Sequence, residues 1–155
     1  AGSVVYCDGD DNWKKVDSAL AFPNGLYAEG NTLFLSTSRN QALFTYDMQP
    51  DGSLRNRKVL SKINGMDNLT SYKDELVVSV HPNELQFALL SYLPATLSPS
   101  KSFAINKKTG RYTPLFSDDG SRISGASTTI IHGKDLYLAQ VFGEYVLKVK
   151  NFQGY

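Results

Sequence analysis

Cysteine is almost missing from this chain. Cys7 stands alone among 155 residues, so no disulfide can form within it. Its remaining roles are a small buried hydrophobe or a bridge to a segment outside the chain. Long apolar runs are missing too: the longest, such as Phe87 to Leu90, fall far short of the ~20 residues a membrane-spanning helix needs. Neither charge sign is in excess, because 16 basic and 15 acidic residues leave a net charge of +1. No basic block interleaves with aromatics, which argues against nucleic acid as a partner. There is no Gly-x-Ser-x-Gly elbow, no His-Glu-x-x-His and no phosphate-cradling glycine loop, so serine-hydrolase and zinc mechanisms have no support. Nor is there an initiator Met or a signal-like apolar stretch. The chain enters a strand at once, Ser3-Val4-Val5-Tyr6, and reads as a piece that begins mid-fold, either processed or cut from something longer.

What is present is strand signal. Hydrophobic residues make up 41% of the chain and aromatics 12%, enough for a packed core and too rich for disorder. The length fits one ordinary domain. Short β-branched and aromatic runs predict fourteen strands: 3–6, 13–17, 25–28, 32–36, 42–47, 57–61, 68–72, 75–80, 86–92, 102–106, 111–116, 127–131, 135–140 and 145–150. Turn chemistry separates them at Asp8-Gly9, Glu29-Gly30-Asn31, Pro50-Asp51-Gly52, Lys73-Asp74, Lys108-Thr109-Gly110 and His132-Gly133-Lys134. Such spacing predicts antiparallel hairpins and an all-β fold.

Three stretches repeat one unit. Asn24-Gly25 leads to Leu33-Phe34-Leu35-Ser36, Asp67-Asn68 leads to Leu76-Val77-Val78-Ser79, and Ser127-Thr128 leads to Leu136-Tyr137-Leu138-Ala139, nine residues on in each copy. The first two copies start 43 residues apart, which matches a propeller blade of four strands. The next interval is 60 residues, and an insertion at 93–100, read as a surface loop, accounts for the excess. The expected architecture is about three four-stranded blades, with repeats starting near residues 24, 67 and 127 of a single unit spanning 1–155. Propellers close with typically 4–8 blades, so another segment or chain is expected to complete the ring. The sequon Asn68-Leu69-Thr70 lies inside a repeated doublet expected to face the axis, which disfavours glycosylation.

Particular residues now suggest a family. Ala21-Phe22-Pro23-Asn24-Gly25 resembles the strand-entry motif of gluconolactonase-like and paraoxonase-like six-bladed propellers. Met66-Asp67-Asn68-Leu69 followed by His81-Pro82-Asn83, thirteen residues beyond Asn68, resembles the paraoxonase and arylesterase branch in particular. The segment from Ser124 to Val149 is similar to that branch's last blade. The resemblance spans nearly the whole chain and implies the C-terminal half of the family's propeller. It implies a calcium-dependent lactonase or arylesterase, a small ester or lactone as substrate, and a partner: the N-terminal half, as a missing segment or a second chain. Secretion is favoured on the same ground, although one cysteine decides nothing.

The candidate site follows from donor chemistry. Calcium takes six to eight oxygen ligands from carboxylates, amide carbonyls and water. Asn24, Asp67 and Asn68 carry such oxygens at the starts of consecutive repeats, and by resemblance they correspond to ligands of the family's catalytic calcium. Few carboxylates would leave the ion positive enough to act as a Lewis acid. Asp67, the one carboxylate, is also the candidate to orient water. The plainer readings are a turn residue for Asn24, a strand-end partner for Asn68 and a capping carboxylate for Asp67. By resemblance His81 lies on the pocket wall and contacts substrate; its alternative is a loop hydrogen bond. Phe22 and Phe142 are pocket-wall candidates, with core packing as the alternative for both and for Tyr145. Asn83 reads as a turn residue, His132 as exposed in a hairpin turn, and Trp13 as packed against a neighbouring blade. The family's further carboxylate, Asn and His pair cannot be placed here. Two other readings stand beside the half-enzyme: self-association into a six-bladed ring, and a non-catalytic binding or scaffold module.

Overall fold

The computed structural model describes residues 1–93 and 95–152. In chain order the strands are β1 (Gly2–Cys7), β2 (Trp13–Leu20), β3 (Pro23–Glu29), β4 (Thr32–Thr37), β5 (Ala42–Met48), β6 (Leu54–Lys62), β7 (Met66–Tyr72) and β8 (Glu75–Val80). Helix α1 (Glu84–Leu90) precedes β9 (Ser100–Asn106), β10 (Tyr112–Asp118), β11 (Ala126–His132), β12 (Asp135–Gln140) and β13 (Val146–Val149). Every ladder is antiparallel and joins sequence neighbours, giving sheets β1–β2, β3–β6, β7–β10 and β11–β13. The architecture is all-β, as the hairpin spacing predicts. Among the described residues two sheets have the full four strands of a blade, the first has two and the last three.

Period-two alternation explains why these segments are strands buried on both faces. Along β4, Leu33 and Leu35 belong to the core shared with β1 and β2, while Phe34 faces the core shared with β7–β9. β5 does the same, with Phe44 and Tyr46 on one side and Leu43 on the other. A third core around Ile123, Leu136 and Leu138 takes in Phe116 from β10 and so joins the last two sheets. The three cores thus lie between successive sheets, as between propeller blades. The first strands β3, β7 and β11 run beside one another, which brings the three repeated doublets toward one axis.

Helix α1 replaces the strand expected over 86–92. Asn83 is extended and its side chain accepts the Gln86 amide at 3.1 Å, capping the helix, while Glu84 sits in the first turn where the backbone dipole favours an anion. Phe87 and Leu90, three apart, turn inward, whereas Leu85 and Leu89 are exposed. A short apolar run carries too little periodicity to separate these outcomes. The insertion at 93–100 is also not simply a surface loop. Leu93 and Leu97 are exposed and Pro94 lies outside the described residues, but Ser98 and Ser100 are fully buried. The Ser98 amide donates to Ser124 Oγ, and Ser100 Oγ donates to the Ile123 carbonyl and accepts from the Ala126 amide, tying this segment to the last sheet. Trp13 is exposed on β2, since no further sheet covers that strand among the described residues. Cys7 is half-buried rather than a core residue. His132 is exposed beside its turn, as expected. No described helix is long and apolar enough to cross a membrane.

Candidate functional site

Each repeated doublet sits on a β-bulge. The β3–β4 register slips between Pro23 and Leu26, the β7–β8 register between Met66 and Leu69, and the β11–β12 register between Ala126 and Thr128. A bulge puts an extra residue against its partner strand and re-aims a side chain. The polar residues Asn24, Asp67 and Ser127 therefore stand where the ladder is interrupted, at the axial end of each first strand.

Serine hydroxyls bonded to backbone groups within and between sheets hold this geometry. The Gly25 amide donates to Ser36 Oγ at 2.8 Å, and Ser36 Oγ donates to the Asp67 carbonyl at 2.7 Å. Ser38 Oγ donates to the Met66 carbonyl at 2.8 Å. A Cβ at Gly25 would lie 2.6 Å from the Asp67 carbonyl oxygen, so a larger residue would push β3 off β7. Gly65, at φ +73°, accepts the His81 amide at 2.8 Å, and a Cβ there would collide with the His81 carbonyl. In the next interface Ser79 Oγ meets Thr129 Oγ1 at 2.7 Å, and Thr70 Oγ1 donates to the Thr129 carbonyl. The small polar residues that end the repeats are thus inter-sheet ties.

On this frame the Asp67 carboxylate and the His81 ring meet. His81 Nε2 lies 2.8 Å from Asp67 Oδ2, with the residues 5% and 6% exposed. Since a carboxylate only accepts, the proton of a neutral ring sits on Nε2 and the lone pair on Nδ1. Nδ1 is buried and has no hydrogen-bond partner among the described residues. Phe87 of α1 stacks on the imidazole, centroids 3.7 Å apart and planes 20° from parallel, and Phe142 packs 5.9 Å from Phe87.

A cavity of about 340 Å³ opens over His81, lined among others by Phe22, Asn24, Phe87 and Phe142. The structure thus brings Phe22, Asn24, His81 and Phe142 together, with Asp67 joined through His81. Asn68 points its amide elsewhere: its Nδ2 donates to Thr128 Oγ1 at 3.1 Å, across the interface with the last sheet. Asn24 Nδ2 donates to Ser38 Oγ at 3.3 Å. Both amides thus engage their nitrogens, leaving the carbonyl oxygens as the groups available to a cation. No three His, Cys, Asp or Glu side chains gather into a metal-holding group among the described residues. A cation at this axis would therefore rely on amide oxygens with Asp67, a hard-oxygen set that suits calcium.

Phe87, Arg39 and Glu84 line the same cavity without forming part of the repeat signature. Asn83 followed by Glu84 is a helix-start signal that could have put Phe87 on a helix, although not over His81. Arg39 had none, because a single cation after a strand is ordinary. A larger cavity, about 450 Å³, lies between the first sheet and the second. Its lining includes Val4, Val16, Leu26 and Leu54 and no carboxylate, imidazole or amine, whereas the smaller cavity holds His81, Arg39 and Glu84.

The family model described as arylesterase matches residues 1–147. Among solved structures, a luciferin-regenerating enzyme superposes with a TM-score of 0.63 at 17% identity, over 88% of this chain and 43% of that one. At that identity the likeness concerns the fold, and the chain spans less than half the length of the neighbour. No curated protein matches.

Proposed function

Because the chain belongs to the arylesterase family, we propose that it carries one side of the axial site of a calcium-dependent hydrolase acting on aryl esters and lactones. The carrying observation is the buried Asp67 carboxylate bonded to His81 at the base of a cavity walled by Phe22 and Phe142. Asn24, Asp67 and Asn68 would hold the ion, and the rest of its roughly six to eight ligands would come from water and from the segment that completes the ring. A bound calcium would supply Lewis-acid polarisation of the ester carbonyl and stabilise negative charge developing on its oxygen.

The chain's own residues do the rest. Asp67 keeps the His81 proton at Nε2, and the Phe87 stack fixes the ring plane, so the pair forms a rigid polar floor beneath the cavity. Phe22 and Phe142 offer aromatic surface to an aryl or acyl group and exclude water from it. In the reaction water adds to the acyl carbon, the acyl C–O bond breaks, and an acid and an alcohol leave; with a lactone both stay on one molecule. The general base and remaining ligands would belong to the propeller's other half, which this reading takes to be an N-terminal segment or a second chain rather than a second copy.

Calcium titration of the purified protein, read by calorimetry and thermal melting, tests the reading. The melting temperature is expected to rise with calcium in the wild type and not in Asp67→Ala. Hydrolysis of phenyl acetate or a simple lactone should vanish on chelation and return with added calcium. A melting temperature indifferent to calcium in the catalytically complete protein would remove the mechanism.

A further inference from the structure

Arg39 stands out in the candidate cavity, which is otherwise walled mainly by aromatic and small side chains. It lies in the β4–β5 turn, whose backbone is tied down on both sides. The Ser38 amide donates to the Phe22 carbonyl at 3.0 Å, the Arg39 amide to the Ala21 carbonyl at 3.4 Å, and the Gly65 amide to the Ser38 carbonyl at 3.2 Å. The guanidinium lies 5.5 Å from the centroid of the Phe22 ring, a cation–π arrangement that restricts where it can swing. Among the described residues its anionic neighbour is Glu84 in the first turn of α1, with Nε 3.7 Å from Oε2. That is an ion pair but too long for a hydrogen bond, and the side chain makes no hydrogen bond among the described residues. The side chain is 69% exposed, so the ring and the acid bias its position while its planar fork of donors stays open beside the cavity. Asp67, the other carboxylate at the site, is occupied by His81.

Resting on the hydrolase reading of the cavity, we infer that Arg39 is a specificity-determining residue selecting esters and lactones that carry a carboxylate remote from the scissile carbonyl. A guanidinium can take a carboxylate through two parallel N–H···O bonds, a fit that an ammonium cannot reproduce. Phe22 and Phe142 line the same cavity and would flank the body of such a substrate, leaving its acyl group toward Asp67 and His81. Glu84 competes with the substrate carboxylate for the same cation. The pair thus sets how strongly an anion is preferred over a neutral ester, and water attack itself is untouched.

The test compares phenyl acetate with 4-carboxyphenyl acetate, using the calcium-loaded, catalytically complete protein and its R39Q and E84Q variants. The ratio of kcat/KM for the carboxylated over the neutral ester should fall at least about tenfold in R39Q, through KM rather than kcat, and rise in E84Q. The wild-type ratio should also fall as salt is raised. A ratio unchanged in both variants, or an equal loss for both esters in R39Q, overturns the assignment; should R39Q misfold, E84Q alone carries the comparison. If the wild type cleaves neither ester, it is the hydrolase reading that fails. Arg39 is then judged by calorimetry with 4-hydroxybenzoate and 4-hydroxybenzamide. Tighter binding of the benzoate, lost at least tenfold in R39Q, upholds anion recognition. Equal affinities for the two compounds overturn it.

Discussion

Asp118, at the end of β10, shows how single residues hold this chain in shape. Burial by itself would raise its carboxyl pKa, but hydrogen bonds from the Arg122 side chain and from the amides of Arg122, Ile123 and Gly120 outweigh that and hold it below its ordinary value of 3.8. A folded pKa below the unfolded one means that the stabilisation is present above about pH 4 and is lost as pH falls through the folded value. Asp118→Asn should therefore lower stability by about 1.5–3 kcal/mol at pH 7. Its deficit relative to wild type should shrink toward pH 3, as denaturant unfolding at the two pH values will show. An equal deficit at both would mean that the carboxylate's charge is not what matters. The same scale governs the site, where a residue as small as Gly25 is required for β3 to approach the Asp67 backbone.

Among elements, the sheets are tied at both ends. At the axial end Ser36 and Ser79 bridge to the next sheet; Ala139, at the corresponding position of the last repeat, has no hydroxyl to continue the series. At the far end Lys107, directly after β9, reaches across to the first four-stranded sheet. Its side chain is 8% exposed, and the ammonium donates to Glu29 Oε1 and Ser71 Oγ at 2.8 Å each and to the Lys73 carbonyl at 3.0 Å, 5.2 Å from the centroid of the Tyr27 ring. Lys107→Met keeps the stem's packing while removing these bonds. It should cost about 1.5–3 kcal/mol, since the donor is charged and two of its acceptors would lose their partner. Thermal melting checks this, and a loss below a few tenths of a kcal/mol would make the bridge an ordinary surface pair. Helix α1 matters in a different way, because it brings Phe87 onto His81 and Glu84 toward Arg39.

For the whole molecule, the uneven sheets carry the main consequence. Among the described residues the first sheet has two strands, which leaves β1 with a free edge and an apolar groove against β3 and β4, in which Leu26 is exposed. Exposed strand edges beside apolar surface favour further pairing. On the proposed function, inner strands from the completing segment would fill this groove. The catalytically complete protein should then sediment with the mass of this chain plus its complement. Leu26→Asp should lower its melting temperature and weaken retention of the complement, and a stable, active 17.1 kDa monomer would contradict ring completion.

Strand positions, the all-β class and the three-fold repeat were legible because period-two alternation and turn residues are local signals. Thirteen of the fourteen expected strands are present, and each of the three doublets that share the nine-residue spacing coincides with a bulge in the first ladder of its sheet. The sequence also singled out Phe22, Asn24, His81 and Phe142, which line one cavity, and Asp67, which bonds to His81. Helix α1 escaped because seven residues hold too little periodicity to outweigh an apolar run. Which side chains touch was decided only in three dimensions. The His81–Asp67 bond, the Phe87 stack, the Ser36 tie and the Arg39–Glu84 pair join residues on different elements, and no local pattern encodes such distances. Sequence by itself thus determined the repeating unit, since each strand's pattern lies within its own few residues. The tertiary structure alone decided the site, because its geometry exists only where three sheets and a helix converge.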